Sequence, residues 1–459
     1  MASLKFVSPQ SVLRAVGVDR AVSRTLLSRG WIVLSGVVSF LLITRLLTPL
    51  QQGFYSTFVS ILALQAFFEL GLATVVMQFA SHERAELEWT PQGTLEGDPR
   101  AKARLASLLR FSLIWYGVVA ALVILFLLPA GYFFFLRHQP QGAAVAWQWP
   151  WLWIVLVTAG SLAISPLLSL LEGCGLVAEI AGVQLVQNLI GGVLFWLTLL
   201  LHWGLYTAPV TNTVVLVWSA LWIWRSKRRV VQDLLAVPSA GDGFRWKQDI
   251  WPLQWKIGLS WLAGYFIFQL FVPSLFAMHR PVSAGQMGLS GNVSGAVGGL
   301  ALAWMTTKSV PFGMLIAKRQ FSQLDRLFFP CLWQSLTISA VGGMSLFLAV
   351  IFINHIHHPL AHRVLQPRPF AFLVAAGLAN HVVACEAIYL RAHKQEPFLW
   401  LSVIAGALVV AVVYFLGRPY AELGMMFGYF MVSLIVGLGG GTWIFVQKRR
   451  QWHDTPSPS

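Results

Sequence analysis

Charge is scarce in this sequence, negative charge above all. Asp, Glu, Lys and Arg make up 11% of the 459 residues, and 17 acids stand against 32 basic residues. With 57% of the chain hydrophobic, this leaves no room for a sizeable water-soluble domain. Cysteine is sparse too. Cys174, Cys331 and Cys385 fall in or beside apolar runs, with no disulfide framework and no metal-ligand spacing, so they read as small packing residues. Catalytic signatures are missing. There is no P-loop, HExxH, GxSxG or carboxylate dyad, and ATP-driven pumping by this chain alone has no support. The net charge of +15 does not point to nucleic acid, because the basic residues lie in short segments between apolar spans.

What the chain does have is apolar runs of about 20 residues or more, each long enough to cross a bilayer. Spans are predicted at 29–48, 54–80, 109–136, 150–171, 177–202, 206–224, 252–277, 285–308, 327–353, 370–391, 397–417 and 423–446. Backbone satisfaction in lipid makes them helices. The basic, amphipathic start (Lys5, Arg14, Arg20, Arg24, Arg29) leads into a span too long for a signal peptide's core. With the N-terminus placed inside, only Arg45, Arg137, Arg280, Arg363, Arg368 and Arg418 fall at outer ends. This asymmetry predicts an inner (plasma) membrane protein with both termini cytoplasmic. The expected segments are a cytoplasmic N-terminus at 1–28, six spans over 29–224, a linker at 225–250, six spans over 251–446 and a tail at 447–459.

That orientation sharpens one absence. Every aspartate (Asp19, Asp98, Asp233, Asp242, Asp249, Asp325, Asp454) falls inside, and the one acid near an outer loop is Glu422. A membrane glycosyltransferase or polymerase working outside needs an acidic base or metal ligand there, so the chain is predicted not to be an enzyme. The outer "HIHHPLAHR" loop offers His355, His357, His358 and His362 without a carboxylate or cysteine. It reads as a basic, hydrated loop, and no metal or cofactor is expected.

Ionisable residues inside spans are costly and are functional candidates by default. Glu69 lies in "LQAFFELGLATVV", about 15 residues or roughly 22 Å into the second span. It either is neutralised within its own bundle or lines a cavity. His381 and Glu386 share the tenth span but are five residues apart, so they do not share a face. Glu386 has Arg391 and Lys394 as prospective partners. Arg45, Lys256 and Lys308 sit near span ends, where they either snorkel to the interface or meet a substrate. Gly288, Gly291, Gly295 and Gly298 form one face of the eighth span, a packing signal. Pro166, Pro273 and Pro311 mark places where helices break or flex.

A faint repeat links the two halves. Pro49 and Gly53 follow the first span, and Pro281 and Gly285 follow the seventh, each displaced by the same 232 positions. Both halves would start inside, which makes any repeat parallel.

The stretch "RLLTPLQQGFYS" carries Arg45, Leu47, Pro49 and Gly53 in an Arg-x-Leu-x-Pro-x-x-x-Gly arrangement, and Glu69-Leu70-Gly71 follows in the second span. In these residues the chain resembles the polysaccharide-transporter (O-antigen type) branch of the multidrug/oligosaccharidyl-lipid/polysaccharide flippase superfamily. That branch more often has Asp where Glu69 stands. The resemblance implies an all-α polytopic membrane protein of about 12 helices in two six-helix, MATE-like bundles. It implies a transporter that flips a lipid-linked oligosaccharide on a polyprenyl pyrophosphate by alternating access, in contact with polysaccharide assembly enzymes. A coupling ion, proton or sodium, is left open. Cavity or substrate candidates are Arg45, Glu69, Lys256, Lys308, His381 and Glu386. Hinge or packing candidates are Pro49, Gly53, Gly71, Pro281, Gly285, Gly291 and Gly295. The alternatives are a cation-coupled small-molecule exporter of the same superfamily, which tends to use a carboxylate in its first helix, and a flippase for the peptidoglycan lipid precursor. A membrane glycosyltransferase or polymerase is more distant.

Overall fold

A computed structural model describes residues 20–140, 142, 145–238, 251–393 and 395–453. Most of the expected N-terminal stretch, residues 239–250 of the expected linker, Lys394 and residues 454–459 lie outside this set. The fold is all-α, with helices at each of the places where the sequence predicts spans. By length and composition, six helical runs are able to cross a membrane, or up to eight if each bent pair is one span. Two of those runs fuse neighbouring expected spans across a non-helical residue, Gly175 (φ 93°) between the fourth and fifth and Ala421 (φ 48°) near the start of the twelfth.

The chain divides into two compact units that interleave along the sequence. The first gathers Met1–Leu46, Phe68–Phe133 and Ala146–Trp255; the second gathers Leu47–Phe67, Phe134–Val145 and Lys256–Ser459. These groupings do not follow the midpoint linker.

In the first unit, helix Arg20–Leu46 lies along Val177–Leu200. Gly192 gives room for the Trp31 ring, whose Nε1 donates to the Asn188 carbonyl at 2.8 Å. Helix Pro99–Leu122 starts ten residues before the expected span. Asp98 accepts from the Ala101 amide at 3.0 Å and Pro99 opens the first turn, both good start signals. The expected inner loop at 82–108 holds a small hairpin, Leu87–Trp89 paired antiparallel with Leu95–Gly97. Trp89 donates from Nε1 to the Cys174 carbonyl at 3.0 Å, and the Lys227 ammonium lies 5.6 Å from its ring centre. Lys227 also pairs with Glu179 at 2.7 Å.

In the second unit, helix Pro49–Leu62 begins at a capping box. Thr48 accepts from the Gln51 amide, and Gln51 reaches back to the Thr48 amide, satisfying two otherwise free donors. This helix packs on Pro281–Thr306 and Phe271–Ala277, with Phe54, Phe58, Phe135 and Phe276 interlocked at ring-centre distances of 4.9–5.5 Å. A separate apolar core is built from Phe312, Leu324, Phe328, Tyr389 and Phe445.

Candidate functional site

The Pro-Gly joint repeated in the sequence is a physical contact. Helices Pro49–Leu62 and Pro281–Thr306, both in the second unit, approach until their backbones touch. A Cβ placed on Gly53 would lie 2.1 Å from the Pro281 carbonyl oxygen, and one on Gly285 would lie 2.8 Å from the Gly53 nitrogen. Each glycine is required by the other helix, and Pro281 is buried at the start of its helix. Gln52 seals the contact, donating from Nε2 to the carbonyls of Gly285 and Arg363, both at 2.9 Å.

The histidine-bearing loop is laced onto this clasp. Gln286 donates to the His362 carbonyl at 3.0 Å, and Ser290 Oγ accepts from the Leu365 amide at 2.9 Å. The loop's four histidines are exposed, while Ala361 and, just after the loop, Val364 and Leu365 are buried and tie its end to the clasp. Burial pulls the Arg363 pKa below its ordinary value, yet a guanidinium stays charged at any physiological pH.

Close packing along the glycine face stops one turn further on. Gly288 still presses on Ser56, with a built Cβ 2.5 Å from the Ser56 Cβ, but at Gly291, Gly295 and Gly298 an added Cβ meets nothing within 4 Å. The packing role expected for Gly291 and Gly295 therefore falls to Gly53, Gly285 and Gly288, because only there do the two backbones converge.

Glu69 belongs to the first unit and sits at a break. Helix Gln65–Glu69 ends on it, Leu70 (φ 50°) and Gly71 (φ 67°) are left-handed, and helix Leu72–Glu83 then begins. The second span is broken here. The Tyr116 hydroxyl, in helix Pro99–Leu122, donates to Glu69 Oε1 at 2.8 Å. Gly71, a hinge or packing candidate in the sequence, is left-handed in this turn; Tyr116 escapes the sequence reading. Its signal is a hydroxyl inside an apolar run, and Tyr132 in the same run carries the same signal.

The tenth-span candidates are separated, as their spacing requires. His381 Nε2 is 2.7 Å from Ser335 Oγ, which donates on to the Ala301 carbonyl. Glu386 Oε1 accepts from Thr442 at 2.8 Å, while its Oε2 is buried without a hydrogen-bond partner among the described residues. The expected pairing of Glu386 with Arg391 does not form. Arg391 is one turn beyond and turns to Glu396 at 2.7 Å, which lies nearer the helix end. Arg45 is exposed in the last turn of its helix, Lys256 is exposed near the start of Trp251–Phe268, and Lys308 is half-buried at the turn after Pro281–Thr306.

Apolar helices broken at glycine, proline and left-handed residues, with polar groups held at the breaks, define a helical polytopic membrane protein. No family model and no curated protein matches the sequence. Solved structures do match. The MATE multidrug transporter DinF-BH, solved as a complex, aligns over 98% of each chain at 11% identity and a TM-score of 0.58. Lipid II flippase MurJ in an inward closed conformation aligns over 93% of this chain and 87% of its own at 13% identity, TM-score 0.57. An inward-facing multidrug resistance MATE transporter of the MOP superfamily covers 92% of this chain and 99% of its own at 14% identity, TM-score 0.55. What this chain shares with them is the fold.

Proposed function

We propose that this chain is a membrane transporter that flips a lipid-linked oligosaccharide, carried on a polyprenyl pyrophosphate, by alternating access. The observation that carries the reading is the Gly53–Gly285 clasp. The Arg-x-Leu-x-Pro-x-x-x-Gly stretch on which the resemblance rests is part of this contact, and its partner is the equivalent joint 232 residues on. A contact made of two glycine backbones holds tightly when closed and leaves no side chain in the way when it parts. The bilayer is the immediate partner, and a cytoplasmic-membrane location with inner termini follows from the basic-residue asymmetry. Glu69 is read as a contact for sugar hydroxyls, and exposed Arg45 as attracting the pyrophosphate.

The test is reconstitution in vesicles with a fluorescent short-chain polyprenyl-pyrophosphate oligosaccharide. Protein-dependent movement to the opposite leaflet, lost in Gly53→Val and weakened in Arg45→Ala, is the expected result. No movement above protein-free vesicles, together with dye extrusion driven by a proton or sodium gradient, would favour the exporter reading instead.

A further inference from the structure

The helical run from Gly204 to Ala236, in the first unit, has 33 residues. At 1.5 Å per residue it is about 50 Å long, against a hydrocarbon core of about 30 Å. About 20 residues fill the core, so the run leaves it near Trp224. Arg225, Arg228 and Arg229 then lie within about 8 Å of that edge, at the level of the lipid headgroups. This end consists of the wide turn Ile223–Lys227 and helix Arg228–Ala236, and it is two-sided. Val230 and Leu234 are buried, while Arg228, Arg229, Gln232 and Leu235 are exposed. The exposed four recur at helical spacing and form one face. Trp224 and Arg225, one turn earlier, are exposed too.

Other cations fasten this end to its own unit. Lys227 pairs with Glu179, and Lys102 pairs with Asp233 at 2.8 Å. Arg110 donates to the carbonyls of Leu235 and Val237. Arg225, Arg228 and Arg229 take no part in this, and among the described residues none of the three has an ion pair or a hydrogen bond. We propose that Trp224, Arg225, Arg228 and Arg229 form a binding face for anionic phospholipid. A guanidinium fork matches a phosphate with two parallel hydrogen bonds. An indole is at home at the boundary between tails and headgroups, and basic residues just outside a span draw anionic lipid to them. The face needs no particular cargo, so it holds for a flippase and an exporter alike.

Native mass spectrometry of the full-length protein, released from nanodiscs of equal phosphatidylglycerol and phosphatidylcholine, tests this. The wild type is expected to retain phosphatidylglycerol over phosphatidylcholine by about fivefold or more, the equivalent of one arginine held at an anionic surface. The triple variant Arg225→Gln, Arg228→Gln, Arg229→Gln is expected to lose most of that preference at an unaltered Tm, since all three side chains are exposed. Lys318→Gln, Arg319→Gln, Arg326→Gln removes three exposed charges from the second unit and is expected to keep the preference. No preference in the wild type, or an undiminished one in the first triple variant, overturns the proposal. Equal loss in both triple variants overturns it as well, because net charge alone would then be at work. Inorganic pyrophosphate, added at the concentration of the anionic lipid, is the last arm and is expected to displace none of it. Displacement would assign the face to a diphosphate group and overturn the lipid site.

Discussion

A single methyl group has no place at Gly53. The nearest obstacle is the Pro281 carbonyl, part of a helix start that cannot swing aside as a flexible side chain would. Gly53→Ala is expected to cost about 1–3 kcal/mol, read as a lowered Tm in detergent or nanodiscs. Gly291→Ala is the control on the neighbouring helix. With open space around it, the change is expected to be neutral or to add up to about 1 kcal/mol through helix propensity. Equal losses at both positions would mean that the clasp is not a close contact. Gly53 and Gly285 were legible in the sequence because glycine four residues after proline, repeated at a fixed offset, carries a geometric meaning. Leu70 was not, because a leucine advertises right-handed helix and its left-handed backbone is imposed by its surroundings. Leu70→Val should therefore destabilise by about 1 kcal/mol or more, since a β-branched side chain fits that region worst, while Leu70→Gly should leave thermal stability near wild type. A Val variant as stable as wild type would show that the break relaxes freely.

At the scale of elements, periodicity and length found every long helix, because apolar runs of bilayer length admit few other structures. They could not find where those helices break. The break after Glu69 begins at Leu70 (φ 50°), a residue that favours helix, and that after Phe268 falls at Gln269 and Leu270 with no glycine or proline between the two pieces. The hairpin at 87–97 was equally hidden, since its strands have three residues each and too little alternation to register. It is held by Trp89, which ties it to the joint between the fourth and fifth expected spans through the Cys174 carbonyl. Trp89→Ala removes that bond and the Lys227 contact together. The expected result is faster proteolytic cleavage within 84–98 with only a small loss of Tm, because Leu87 and Leu95, which anchor the strands, stay in place. Trp89→Phe, which keeps the ring, should give an intermediate rate. Cleavage at the wild-type rate in Trp89→Ala would show that the hairpin stands by itself.

At the scale of the molecule, 11–14% identity to the solved transporters means that the shared fold is carried by pattern rather than by particular residues. Function then has to be sought where pattern gives way to individual groups, and the open face of helix Pro281–Thr306 is such a place. Below the contact with Ser56 this helix presents Asn292, Gly295, Ala296 and Gly299 as exposed residues, before the exposed apolar side chains of Leu300 and Trp304. The stretch from Asn292 to Gly299 has few apolar side chains to offer lipid tails, and Asn292 suits it to water. In the proposed transporter it faces the substrate path. The three native cysteines are buried, so introduced thiols can be followed without background. Gly295→Cys is expected to react with a membrane-impermeant maleimide in reconstituted vesicles, and to react several-fold more slowly when the polyprenyl-pyrophosphate oligosaccharide is present. Val341→Cys, on an apolar stretch with 62% of its surface exposed, should stay unlabelled because lipid covers it. If the thiol at 295 is as silent as the one at 341, the open face is turned to the bilayer, and the path for substrate must be sought on another helix.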